Sequence, residues 1–203
     1  MLRLRALALA VALASPAALV AQAPSGLAQV QAHLRAVNTM TASFTQTDRR
    51  GRSLRGTLTI KRPGRIRFDY GRSANMLIVG DGRALTFVDY DVGQQQRWPI
   101  GDSPLSVLLN PNQDLARFAR VVRNDADVLM IEARDERRRE FGTITIAFAK
   151  LPGSPGGLSL QGWNTRDAQN NTTSVRLSGQ RFNVAVADSL FRFRPPQRRT
   201  PRG

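Results

Sequence analysis

Gly56-Thr57-Leu58-Thr59-Ile60-Lys61-Arg62-Pro63-Gly64-Arg65-Ile66-Arg67-Phe68-Asp69-Tyr70 is the stretch that decides the fold. Leu58 and Ile60, in phase with Leu54, fall on one face of an extended segment, with Arg55, Thr57, Thr59 and Lys61 on the other, because successive strand side chains point to opposite faces. Pro63-Gly64 breaks the run, and alternation resumes with Ile66, Phe68 and Tyr70 against Arg65, Arg67 and Asp69. Arg62 breaks the pattern: it is in phase with Leu58 and Ile60, so a guanidinium points inward unless the strand ends first. Two readings stand open. Either Pro63 ends the strand and Arg62 turns to solvent, or Arg62 bonds the unpaired carbonyls of a helix covering the interior.

Outward from this stretch, Arg49–Ser53 with Gly51 reads as a hairpin to a strand at Ala42–Asp48. Before it, Leu27, Val30, Leu34 and Val37 recur at helical spacing behind Ser25, a good cap, and predict an amphipathic helix over Ser25–Val37. On the other side come short strands at Met76–Val79, through Leu85 and Phe87 beyond an Asp81-Gly82 turn, and at Gln94–Trp98. Pro104–Leu109 predicts a short, very apolar helix ended by Asn110-Pro111-Asn112, and Leu115–Ala119 another helical turn. That apolar helix is either core or a lid. Strands resume at Val121–Val122, Val128–Ala133, Thr143–Ala149, Leu158–Asn164, Thr172–Leu177 and Leu190–Phe193. Ten or eleven closely spaced strands with few helices argue a mainly β chain, one antiparallel sheet curled toward a barrel.

The first residues have another purpose. Arg3 and Arg5, the apolar run Ala6–Ala14, Pro16 and Ala21-Gln22-Ala23 make a secretory signal peptide over residues 1–23, with the cut within a few residues of Ala23. The run is too short to span roughly 30 Å of hydrocarbon. With no cysteine, the chain is not itself acylated at a cysteine and folds without disulfides. The formal charge is +15, or +13 once Arg3 and Arg5 are removed, nearly all from arginine. The arginines are scattered apart from Arg137-Arg138-Arg139 and a basic tail, residues 197–203, expected to be disordered. Scatter and secretion argue against nucleic acid, leaving acidic proteins or anionic membrane as partners for the charge.

No catalytic set emerges. The single histidine, His33, reads as a half-exposed helix residue, no Gly-x-Ser-x-Gly elbow exists, and the acidic residues Asp125, Asp127, Glu132, Asp135 and Glu136 fall in or beside turns as solvated groups. There is no phosphate-binding or dinucleotide motif, and one histidine with no cysteine makes a metal site of common type improbable. No enzyme activity and no cofactor is expected.

Ala42-Ser43-Phe44-Thr45-Gln46, the stretch 56–70, Ile78-Val79-Gly80-Asp81-Gly82 and Phe191-Arg192-Phe193-Arg194-Pro195-Pro196, in this order and spacing, resemble the LolA family of outer-membrane lipoprotein carriers. The resemblance implies one domain over residues 24–196: an unclosed antiparallel barrel of about eleven strands with an α-helical lid over an apolar cavity. It implies a periplasmic, monomeric carrier of acylated lipoproteins, loaded by the inner-membrane transporter LolCDE and unloading to the outer-membrane receptor LolB where one exists. The family's lid-latching arginine falls on Arg62. The acyl-chain cavity falls on Phe44, Leu58, Ile60, Ile66, Phe68, Leu85 and Phe87, and the lid on Leu27, Val30, Leu34, Leu105, Leu108 and Leu109. Ile66 stands where relatives often carry an aromatic, so the cavity is expected to differ in shape. The alternative is a LolA-like periplasmic protein that binds or senses another lipid, such as a glycolipid, since fold does not fix ligand. A secreted hydrolase is a third reading.

Overall fold

The computed structural model describes residues 25–103, 105–134 and 142–196. The expected signal peptide, the basic tail, Pro104 and the arginine run 137–139 lie outside the described residues.

Helix α1 (Gly26–Ala36) begins where Ser25 accepts a hydrogen bond from the Ala28 N–H at 3.3 Å, and it buries Val30 and Leu34. Strands β1 (Thr39–Thr47), β2 (Ser53–Lys61), β3 (Arg65–Asp69), β4 (Met76–Asp81), β5 (Ala84–Asp89) and β6 (Gln94–Pro99) form an antiparallel meander, with the one-turn helix α2 (Gly71–Ala74) between β3 and β4. The short helix α3 (Ser106–Leu109) follows. A second meander comprises β7 (Ala119–Asn124), β8 (Val128–Arg134), β9 (Thr143–Lys150), β10 (Leu158–Arg166) and β11 (Thr172–Phe182), and β11 pairs with β1. The eleven strands run in the order β6-β5-β4-β3-β2-β1-β11-β10-β9-β8-β7. The two ends of this order, β6 and β7, do not pair with each other, so the barrel is unclosed, as expected.

Register sets the interior. Met40, Ile60, Ile66, Gly80, Leu85 and Trp98 lie in one cross-strand row, and Ala42, Leu58, Phe68, Ile78, Phe87 and Gln96 in the next. Across the other half, Trp163, Ile146 and Ile131 make a matching row. The hairpins are built on aspartates. Asp48, Asp81, Asp89, Asp125 and Asp167 each accept two backbone N–H bonds within their own turn. Asp125 is therefore a turn cap rather than a merely solvated carboxylate.

Three further expectations need correction. Leu190–Phe193 is no strand: Asp188–Phe191 is a 3-10 turn on the outer face, where Phe191 packs with Leu77, Val79 and Val88 in a second, smaller core. Period-two alternation reads equally as a strand or as a strap with one side buried. The apolar helix is shorter than Pro104–Leu109 and begins at Ser106. His33 is buried, at 1% exposure: its Nδ1 donates to the Pro155 carbonyl at 2.7 Å and its ring packs edge-on to Phe148 and Phe182. Gly156, at φ +65°, admits this docking, because a Cβ there would stand 2.7 Å from the His33 backbone nitrogen. Burial holds the imidazole below its usual pKa against the pull of that carbonyl bond.

Candidate functional site

The register of β1 and β2 persists to the last strand residue, and the Arg62 N–H donates to the Asn38 carbonyl at 2.8 Å. Arg62 therefore keeps the inward phase of Leu58 and Ile60. Its Nε donates to the Leu108 carbonyl at 3.0 Å, and its Nη1 donates to the Val37 carbonyl. Leu108 lies in α3 and Val37 caps the C-terminal end of α1, so one guanidinium joins both helices to the end of β2. Unpaired carbonyls at a helix end suit a cation. Burial lowers the Arg62 pKa to about 10, which leaves it charged at neutral pH.

A backbone bond lies beside it. The Gly64 N–H donates to the Leu109 carbonyl at 3.0 Å. Gly64 has φ +74°, and a Cβ there would stand 2.7 Å from Gly82 Cα in the next hairpin, so only glycine fits without strain. Gln31 of α1 also donates to the Pro111 carbonyl just beyond α3.

Beneath these bonds the interior is filled. Phe44, Leu58, Ile60, Ile66, Phe68 and Leu85 are buried in one core cluster, together with Val30, Leu34, Leu108 and Leu109 of the helices; Leu27 and Leu105 pack against it half-buried. Phe87 is inward by register but half-buried and outside that cluster. Val107 and Leu115, which the sequence reading assigned to neither cavity nor lid, join the buried set. Phe44 sits edge-on to Phe68 and Tyr70, at ring-centre distances of 5.3 and 5.1 Å, and Phe68 to Trp163 at 6.1 Å. The Tyr70 hydroxyl donates to Gln46 at 2.8 Å, and burial pushes its pKa up to about 12.

Open space adjoins only some of the named positions. A pocket of about 520 Å³ is bounded by Pro63, Gly64 and Gly82, by Val107 and Leu109 of α3, and by Ala133 and Ile144 of β8 and β9. Of the residues assigned from sequence to cavity or lid, Leu109 alone lines it. A second, of about 330 Å³, is lined by Phe68, Leu105 and Trp163. Ala133 and Ile144 are directly paired, but nothing local in the sequence sets them opposite the Pro63-Gly64 turn.

On the outer face, the charged residues of β2 and β3 hold the C-terminal strap. Lys61 and Arg65 contact Asp188 at 2.5 and 2.6 Å, and the hydrogen bond from Lys61 helps hold the Asp188 carboxyl below its usual range. Arg67 donates to the Leu190 carbonyl at 3.0 Å. Among the described residues no group of three or more metal-ligating side chains occurs, and no helix is long and apolar enough to cross a membrane.

A family model described as outer membrane lipoprotein carrier protein LolA matches residues 35–194. An outer-membrane lipoprotein carrier protein of Chromobacterium violaceum is 32% identical over 206 residues, covering 96% of this chain and 93% of that protein. One of Methylobacillus flagellatus is 30% identical over 183 residues, covering 84% and 85%. Among solved structures, a LolA superfamily protein from Nitrosomonas europaea is similar at a TM-score of 0.44 and 10% identity, covering 84% of this chain and 99% of that one. Matched along most of its length by the family model and at more than 30% identity by a relative, the chain belongs to the LolA family of outer-membrane lipoprotein carrier proteins.

Proposed function

We propose that this protein binds lipoprotein acyl chains inside the barrel and carries them across the periplasm from the inner to the outer membrane. Its donor would be the LolCDE transporter and its acceptor LolB where that receptor exists. It would act as a monomeric carrier and not as an enzyme. The observation that carries this reading is the pair of hydrogen bonds that Arg62 donates to the Val37 and Leu108 carbonyls, which holds two helices over the barrel interior.

The energetics fit. Each CH₂ kept from water is worth about 0.8 kcal/mol, so three acyl chains crossing unshielded would cost tens of kcal/mol. The interior is occupied by Val107, Leu108 and Leu109, at 4%, 0% and 1% exposure, so cargo and lid compete for it. Withdrawing three such side chains costs about 4.5–9 kcal/mol. Breaking the latch adds about 2–4 kcal/mol. Together these equal the burial of roughly 8–16 methylenes, about one acyl chain. One chain displacing the lid breaks even; two or three leave a surplus. Cargo is then held by a margin that a bilayer or receptor can reverse.

The test is to purify the mature protein from periplasm and examine it by native mass spectrometry with lipid extraction. Co-purified triacylated lipoprotein, and its transfer from inner-membrane vesicles, is the expected result. A different lipid would favour a ferry or sensor of that lipid, and an empty protein that accepts nothing from vesicles would overturn the reading.

A further inference from the structure

The 520 Å³ pocket is open while the lid is latched. It coexists with the Arg62–Leu108 and Gly64–Leu109 bonds, and α3 forms part of its wall rather than its plug. Leu108 is fully buried inward, whereas its neighbours Val107 and Leu109 line this space. Ile100, Phe118, Ala133 and Ile144 add to the apolar wall. A methylene takes about the room of a water molecule, about 30 Å³, so a sixteen-carbon chain needs about 480 Å³. The pocket is of the size of one such chain.

We infer that this pocket, between the Pro63-Gly64 turn, α3 and the β8–β9 pair, is a single-acyl-chain site that receives the first chain of a cargo before the lid moves. The inference rests on the reading of the protein as an acyl-chain carrier. The first chain is buried without displacing the lid, and only further chains on the same molecule drive Leu108 out and break the Arg62 bonds. A lipid with one chain occupies the pocket and leaves the latch shut. A lipid with two or three opens it. The geometry thus separates single-chain lipids from lipoproteins by chain number, with no contact to the protein part of the cargo.

The test titrates palmitate, below its micelle concentration, and a synthetic triacylated lipopeptide into the mature protein and three variants: Arg62→Leu, Ser106→Trp and Gly101→Trp. Ser106 and Gly101 line the pocket, and a Cβ at Gly101 meets nothing within 4 Å, so a side chain has room to start there. Palmitate is expected to bind the parent protein one to one. Each methylene kept out of the pocket weakens binding about fourfold, so a tryptophan excluding three weakens it about sixtyfold. Lipopeptide affinity should respond to Arg62→Leu. Lipopeptide binding without palmitate binding, palmitate binding only after Arg62→Leu, or more than one palmitate per protein each overturns the inference. Binding of neither lipid to any variant overturns the carrier reading itself. Should both tryptophan variants misfold, the palmitate stoichiometry of the parent protein still decides.

Discussion

Replacing Arg62 with leucine should tighten cargo binding and slow release. The side chain makes two charge-assisted hydrogen bonds, to Leu108 and Val37, each worth about 1.5–3 kcal/mol. The sum overstates the latch, because the guanidinium is itself partly buried and that burial lowers its pKa to about 10. A net value of about 2 kcal/mol is reasonable. Leucine leaves both carbonyls without that donor, and water reaches them only when the lid swings away, so the open state gains. Cargo that must displace the lid then binds about thirtyfold more tightly, since each 1.4 kcal/mol is tenfold. The assay is titration with triacylated lipopeptide followed by intrinsic fluorescence, for which Trp163, buried against Phe68, is a built-in reporter. Delivery to acceptor vesicles should slow by a similar factor. Unchanged or weaker affinity, in a variant whose circular dichroism and melting temperature match the parent's within a few degrees, refutes the latch argument. Arg62→Lys should fall between the two, because an ammonium lacks the planar fork that reaches two separate carbonyls.

Gly64→Ala forces a Cβ onto Gly82 at φ +74°; a cost of about 1–3 kcal/mol should lower the melting temperature by about 2–12 °C, and an unchanged transition would disprove the strain argument. Phe191→Ala empties the outer-face core at about 3–5 kcal/mol, lowering the melting temperature while leaving lipopeptide affinity alone; a change in affinity would show that strap and interior are coupled. His33 is buried with its pKa below the ordinary 6.5, so below pH 6.5 the unfolded chain takes up the proton first. Its contribution to stability is complete above 6.5 and declines as the pH falls through that value toward the folded pKa. The melting temperature of the parent, relative to His33→Gln, should fall over this window, and parallel curves would refute the assignment.

Local alternation made the strands legible. The stretch 56–70 and the rows through Leu58, Ile60, Ile66 and Phe68 were readable because one face of each strand is buried and the other wet. Arg62 was legible as a violation of that alternation, but its partners were not: Val37 and Leu108 stand 25 and 46 residues away, and no local pattern records which carbonyls a helix end will present. His33 was misread because polarity suggests exposure, whereas a carbonyl and two aromatic edges satisfy the ring in the core. Thr59 is buried on the outer face for a related reason, since the C-terminal strap passes near it beside Leu190. The pocket was invisible because its walls come from both meanders, and only the closing of the sheet through β1 and β11 brings them together.

The place where the barrel fails to close would let one chain serve as both container and lid. The unpaired edges β6 and β7 are consecutive in sequence, so residues 100–118, which connect them, must cross the gap. That segment carries Val107, Leu108, Leu109 and Leu115, all buried in the interior. On the proposed reading, a plug tethered at both ends is always present at a fixed effective concentration, and each departing acyl chain would be replaced without a second molecule. The edges themselves are blunted, β6 by Gln94, Gln95, Gln96 and Arg97 and β7 by Arg120 and Arg123, so the gap persists without inviting another strand. Only the latch then needs tuning. A full ladder of strand bonds across the gap would make opening far too costly, whereas three hydrogen bonds at Arg62 and Gly64 keep the lid's hold near the burial energy of one acyl chain. Near that balance, the proposed transfer to a bilayer would need no energy source, since burial lost from the carrier would be regained in lipid while the lid refills the interior.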